Sequence, residues 1–229
     1  MLQTDPFSLI LLLIGLSLLP LVAMVATSYL KIVVVMSLIR NALGIQSIPP
    51  NMVINAMALI LTFYIMAPVC HESWNIIMTE KAAMEERQKT GEPPKPGQPF
   101  FETDIAGKAA EPFKAWMLRQ TGDRERAFFI STAERLWAKE GDKKTKVDDE
   151  SIFIILPSFC VSELTRAFQI GFLVYLPFIA IDIIVSNILL AMGMMMVSPV
   201  TISLPFKLLL FVMVDGWSML IQGLVRSYV

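Results

Sequence analysis

A chain of 229 residues has room for one or two domains, but its composition, 55% hydrophobic and only 17% charged, narrows the class further. Of 19 Lys and Arg, 14 lie at positions 71–150, as do 16 of 20 Asp and Glu, which leaves 5 basic and 4 acidic residues for everything else. Segments that bare exclude an ordinary water-soluble domain and indicate an integral membrane protein or one buried in an apolar assembly; the net charge of −1 says nothing about nucleic acid, but no basic patch interleaves with aromatics, and no nucleic-acid partner is expected.

The first apolar block covers residues 7–39 and is interrupted by Pro20 and Lys31. No basic residue precedes Lys31, so the run 7–26 lacks the positive flank of a cleaved signal and is expected to be retained. The second block, 52–70, has about the 20 apolar residues that a span requires. Cys70 ends it, and Cys160 lies in the third; both read as small buried hydrophobes, with a disulfide as the alternative.

Residues 71–151 then form a polar helical domain. It opens on "EKAAMEERQ", a short helix, followed by a linker at 89–99 whose four prolines and two glycines sustain no helix. The stretch 111–140 reads as two helices broken at Thr121-Gly122, with Asp123 capping the second. Phe113, Trp116 and Met117 form one apolar stripe; Phe128, Phe129, Ala133, Leu136 and Trp137 form another. "GDKKTKVDDE" is a solvated connector.

The third block, 152–197, is too long for one span and carries Glu163, Arg166 and Asp182; the fourth, 201–225, has the length of one span and carries Lys207 and Asp215. Pro20, Pro68, Pro157, Pro177 and Pro205 fall inside the blocks. Each removes a backbone donor, so the long blocks, first and third, are expected to be kinked hairpins packed in a bundle or oligomer. The expected organisation is all-α: apolar helices at 1–70, the polar domain at 71–151, and apolar hairpins at 152–229. Lys31, Arg40 and Lys207 place both short loops in the cytoplasm and residues 71–151 on the far side; Arg226 points weakly the other way.

The sequence carries no catalytic signature. His71 is the only histidine, so the second ligand of a His-Glu zinc helix is missing, and "AGKAA" lacks the glycine and hydroxyl of a phosphate loop. The chain is therefore read as a non-enzyme with no cofactor and no metal. Its intramembrane charges say more, because ionisable groups at that depth pair or line a watery path. Glu163 and Arg166 are three apart and share a helix face. Asp182 and Lys207 are placed to meet across a hairpin, and Lys31 and Asp215 have no evident partner.

"AMGMMMVSP", residues 191–199, holds Met192, Met194, Met195 and Met196 beside Gly193, Ser198 and Pro199. Three roles suit it: soft filler in a turn, which the residues alone rank first; thioether ligands for Cu(I), as in a copper or small-solute transporter, weakened by the lack of His, Cys or further Met-x-Met groups nearby; or a deformable ring around a pore. Gly193 and Pro199 favour a loop over a continuous helix, which helps the third.

"RNALGIQSIPPN" (40–51), "EPFKAWMLRQT" (111–121), "SELTRAFQIGF" (162–172) and the long run 176–217 resemble the FliP/SctR family, inner-membrane export-apparatus proteins of flagellar and virulence type III secretion systems. The resemblance covers nearly the whole chain, thinning at about 72–105. It implies a homo-oligomer of five copies, assembled with SctS/FliQ-like, SctT/FliR-like and SctU/FlhB-like partners. This would form the portal for unfolded exported proteins and the base for rod or needle subunits. It also implies a periplasmic polar domain and a pore gasket formed by Met192, Met194, Met195 and Met196. The missing basic flank and "SIFIILP" resemble the virulence branch, which is favoured; the extended linker and "EPFKAWMLRQT" are closer to the flagellar one.

Overall fold

A computed structural model describes residues 6–45, 48–89, 103–137 and 148–228. Among them all regular structure is helical: α1 Pro6–Val25, α2 Tyr29–Ala42, α3 Asn51–Lys89, α4 Thr103–Gln120, α5 Asp123–Trp137, α6 Ile152–Ala191, α7 Pro199–Met213 and α8 Gly216–Arg226. The Pro-rich linker and most of the charged connector lie outside the described residues. The chain forms two compact units, Met1–Ile65 with Glu163–Val229, and Met66–Ser162.

Proline breaks none of these helices. Pro20, Pro68 and Pro205 lie inside α1, α3 and α7, and the third block forms one continuous 40-residue helix, α6, through Pro157 and Pro177 rather than a kinked hairpin. A proline removes one hydrogen bond; reversing a chain also requires a residue that tolerates the left-handed region. The breaks occur where such chemistry, or a competing hydroxyl, is present. The first block breaks past Val25, with a bend of 56° between α1 and α2. There Thr27 Oγ1 donates to the Ala23 carbonyl at 2.6 Å and accepts the Tyr29 N–H at 3.4 Å, substituting for backbone partners. The fourth block is not a single straight span: α7 and α8 meet at 60° across Asp215, whose φ is +50°.

Antiparallel packing of α6 on α7 is fixed by contacts whose positions move in opposite directions. Phe178 and Phe211 pack with tilted rings 6.4 Å apart between centroids, and Asp182 meets Lys207 at 2.6 Å. Ile32, Val35, Met36 and Ile39 of α2, Ala58 of α3, Ala167 of α6 and Leu224 of α8 complete this unit's core. The Phe211 ring is edge-on to Trp217 at 5.4 Å, and it lies against Gly216, where a Cβ would stand 2.3 Å from two ring carbons.

In the unit Met66–Ser162, Trp116 and Met117 are buried and Trp116 packs on Phe159 at 5.4 Å. The Gly122 N–H at the α4–α5 break donates to Ser162 Oγ at 2.9 Å. Asp123 lies inside the first turn of α5, and it is the Gly122 carbonyl that accepts the first helical bond, from the Arg126 N–H at 3.0 Å. The second expected stripe is corrected: only Ala133 is buried, while Phe128, Leu136 and Trp137 are exposed. "EKAAMEERQ" is no separate helix but the end of α3. Neither cysteine is in a disulfide, and Cys70 is exposed rather than buried.

The Phe211–Gly216 contact gives a stability test. Gly216→Ala should cost about 1–3 kcal/mol through overpacking, read as a lower Tm of the detergent-solubilised protein. Adding Phe211→Leu should recover part of the loss.

Candidate functional site

Two polar constellations and one loop stand out in the apolar unit. The first surrounds Glu163, which is fully buried on α6. Lys31 of α2, also fully buried, lies 3.4 Å from Glu163 Oε1, and Arg166 Nη1, one turn along α6, lies 3.5 Å from the same oxygen. Tyr228, past the end of α8, donates its hydroxyl to Glu163 Oε2. It also reaches the Ser28 carbonyl at 3.3 Å, and the Lys31 ammonium lies over its ring at 3.5 Å from the centroid. Burial, reinforced by the adjacent carboxylate, holds the Tyr228 phenol well above its usual pKa, so it remains a donor.

Glu163 therefore joins α2, α6 and the C-terminal residues through side chains more than 60 positions apart in sequence. Lys31 is not partnerless, as its isolation in the sequence had implied. Tyr228 and Ser28 carry no pairing signal in the sequence, because each is uncharged and far from Glu163 along the chain.

The second constellation ties the hairpin. Lys207 Nζ on α7 lies 2.6 Å from Asp182 Oδ2 on α6, and Ser203 Oγ donates to Asp182 Oδ1 at 2.6 Å. The same ammonium donates to the Ala42 carbonyl, the last of α2, at 3.2 Å. A cation at a helix C-terminus satisfies an orphan carbonyl and the negative end of the dipole together. Asp215 lies apart from both clusters: it is exposed and has no ion-pair partner among the described residues.

The hairpin tip carries the methionines. α6 ends in a Schellman turn, in which the Met194 N–H bonds the Leu189 carbonyl at 2.9 Å and the Gly193 N–H bonds Leu190 at 3.0 Å, with Gly193 at φ +75°. Pro199 opens α7 at its first position, where a missing N–H costs nothing. Between these stops the loop is exposed. Met192 and Met194 are 66% and 46% exposed, Met195 82% and Met196 fully, so in this chain they fill no turn.

α3 and α6 are long and apolar enough to cross a membrane, and each bent pair, α1–α2 and α7–α8, is another candidate by length and composition. Among the described residues no cluster of His, Cys, Asp or Glu is arranged to hold a metal.

Residues 12–224 match a family described as the FliP family. The chain is 47% identical to Yop proteins translocation protein R of Yersinia pestis over 224 residues, covering 98% of this chain and 97% of that protein. It is 43% identical to the hypersensitivity response secretion protein HrcR of Ralstonia nicotianae over 221 residues, 96% of each. Identity to virulence protein YscR of Salmonella typhimurium is 42% over 230 residues, 99% of each.

The Glu163 cluster generates a double-mutant test. Glu163→Gln leaves the buried Lys31 ammonium without its counter-charge and should cost about 3–5 kcal/mol, read as a lower Tm and lower yield in the membrane fraction. Lys31→Met in the same chain should recover most of it. Equal losses from single and double variants would mean the pair is not the unit that matters.

Proposed function

The chain belongs to the FliP family, and on that footing we propose that it is a channel-forming subunit of a type III secretion export apparatus that admits unfolded proteins across the bacterial inner membrane and is gated by its methionine loop. The coarser part, a structural subunit of a secretion apparatus, follows from full-length similarity to translocation and secretion proteins. The finer part is carried by one observation: four methionines stand exposed at the tip of a hairpin whose two ends are fixed by the Schellman turn and Pro199.

A methionine side chain is apolar, unbranched and pliable. Copies of the tip converging on one axis would leave no polar group for an ion to exchange its water against. They would still part around a polypeptide at little packing cost. The tip is held in place because Asp182, Ser203 and Lys207 lock the hairpin stem and Lys207 also ties that stem to the end of α2.

A central position for the tip requires several copies. The proposal therefore includes a homo-oligomer, five copies by the family resemblance, working with SctS/FliQ-like, SctT/FliR-like and SctU/FlhB-like membrane partners and supporting rod or needle subunits. The proposal puts the polar segment 71–151 on the periplasmic side, which the positions of Lys31, Arg40 and Lys207 near the short loops support.

Replacing Met192, Met194, Met195 and Met196 together by Ala should raise ion conductance of membranes carrying the assembled apparatus while protein export continues. Unchanged conductance with normal assembly would refute the gate.

A further inference from the structure

Eight charged residues are described in the unit formed by Met1–Ile65 and Glu163–Val229: Lys31, Arg40, Glu163, Arg166, Asp182, Lys207, Asp215 and Arg226. Five are joined in the two ion-pair clusters. Arg40 bonds Asn51 Oδ1 and the Pro49 carbonyl across the α2–α3 connection. The two left exposed and without an ion pair among the described residues are Asp215 and Arg226, which are of opposite sign and stand at opposite ends of α8. Eleven positions of helix separate them by about 16 Å, so one copy cannot join its own two.

The ordinary explanation is local: an acid at a helix N-terminus and a base at its C-terminus complement the dipole. Asp215 does not take the usual cap geometry, however. It sits in the left-handed region at φ +50°, ψ +46°, and its side chain makes no cap hydrogen bond. A carboxylate with no ion pair among the described residues, set in an apolar segment, is costly unless something outside the chain meets it. Its two neighbours, Val214 and Gly216, line an apolar cavity of about 480 Å³ that is shared with Ile170, Phe178, Leu210 and Met219. An arginine suits such a place, since its methylene stem lies along apolar surface while its head reaches a carboxylate.

We infer that Asp215 of one copy receives Arg226 of the neighbouring copy, so that α8 carries both halves of the contact between subunits. The contact rests on the self-assembly proposed above. One residue type at each end of one helix lets it repeat from copy to copy, and a closed ring results when the rotation per copy closes.

The test uses the full chain produced alone in detergent, with assembly size measured by mass photometry and folding by circular dichroism and Tm. Asp215→Asn keeps the preference for the left-handed region but removes the charge, and Arg226→Gln does the same at the other end. Each should weaken self-association roughly tenfold with unchanged helicity. The exchange Asp215→Arg with Arg226→Asp should restore assembly, although it reverses both charges relative to the α8 dipole. If the wild type assembles and the single variants assemble equally well, the contact is refuted. Failure of the exchange to restore assembly would leave only the dipole role and also refute it. A wild type that stays monomeric would refute self-assembly itself, and assembly appearing only with a different membrane protein would assign the pair to that protein instead.

Discussion

A carboxylate held out of water must be neutralised where it stands, and the apolar unit is organised around one. Glu163 is fully buried, so its position obliges Lys31, Arg166 and Tyr228 to come to it. Those residues lie on α2, on α6 and beyond α8. Satisfying one buried charge therefore fixes the approach of segments that apolar packing alone would leave free to slide. Non-directional burial stabilises many registers equally, whereas hydrogen bonds to a carboxylate accept few. Tyr228 extends the constraint to the α1–α2 bend through the Ser28 carbonyl. A second, smaller lock of the same kind, Asp182 with Ser203 and Lys207, fixes the α6–α7 stem.

The distribution of polarity is inverted relative to a water-soluble domain. In this unit Lys31, Glu163, Ser203 and Lys207 are inside, while Phe168, Phe172, Ile183, Ile184, Phe206 and Leu209 are exposed. Water does not favour such an arrangement, because the exposed face would pay the full hydrophobic cost. Lipid or the apolar faces of other subunits do. In those surroundings dispersion and polar pairing, rather than water exclusion, distinguish one packing from another. That is why Lys31, Glu163 and Lys207 sit within the packing rather than on its surface.

How much of this the sequence disclosed depended on distance along the chain. Helical content and apolar blocks were evident from composition, and the spacing of Glu163 to Arg166 placed them on one face. Asp182 and Lys207 were also within reach of inference, since Gly193 and Pro199 mark a reversal between them. Lys31 and Glu163 are separated by 132 positions, and no local pattern encodes that meeting. Prolines were over-read for a physical reason: a lost N–H weakens a helix, but a break follows only where a side chain or a left-handed residue takes over the backbone's bonds, as Thr27, Gly193 and Asp215 do. The α5 stripe misled differently. Periodicity identifies an apolar face but does not say whether the surface that covers it belongs to the same chain.

The same reasoning ties the methionine tip to the buried charges. The proposed gate requires a pliable loop on a stiff anchor, since a tip that wanders with its stem closes on nothing. The chain separates the two properties along about 25 residues, with ionic and hydroxyl contacts from Asp182 to Lys207 around the stem and only thioethers, glycine and small residues at the turn. Lys207 joins them to the rest, because its ammonium is shared between Asp182 and the last carbonyl of α2, the helix that also carries Lys31. Position at the tip is thus inherited, through two buried lysines, from the same polar interior that sets the register of the helices.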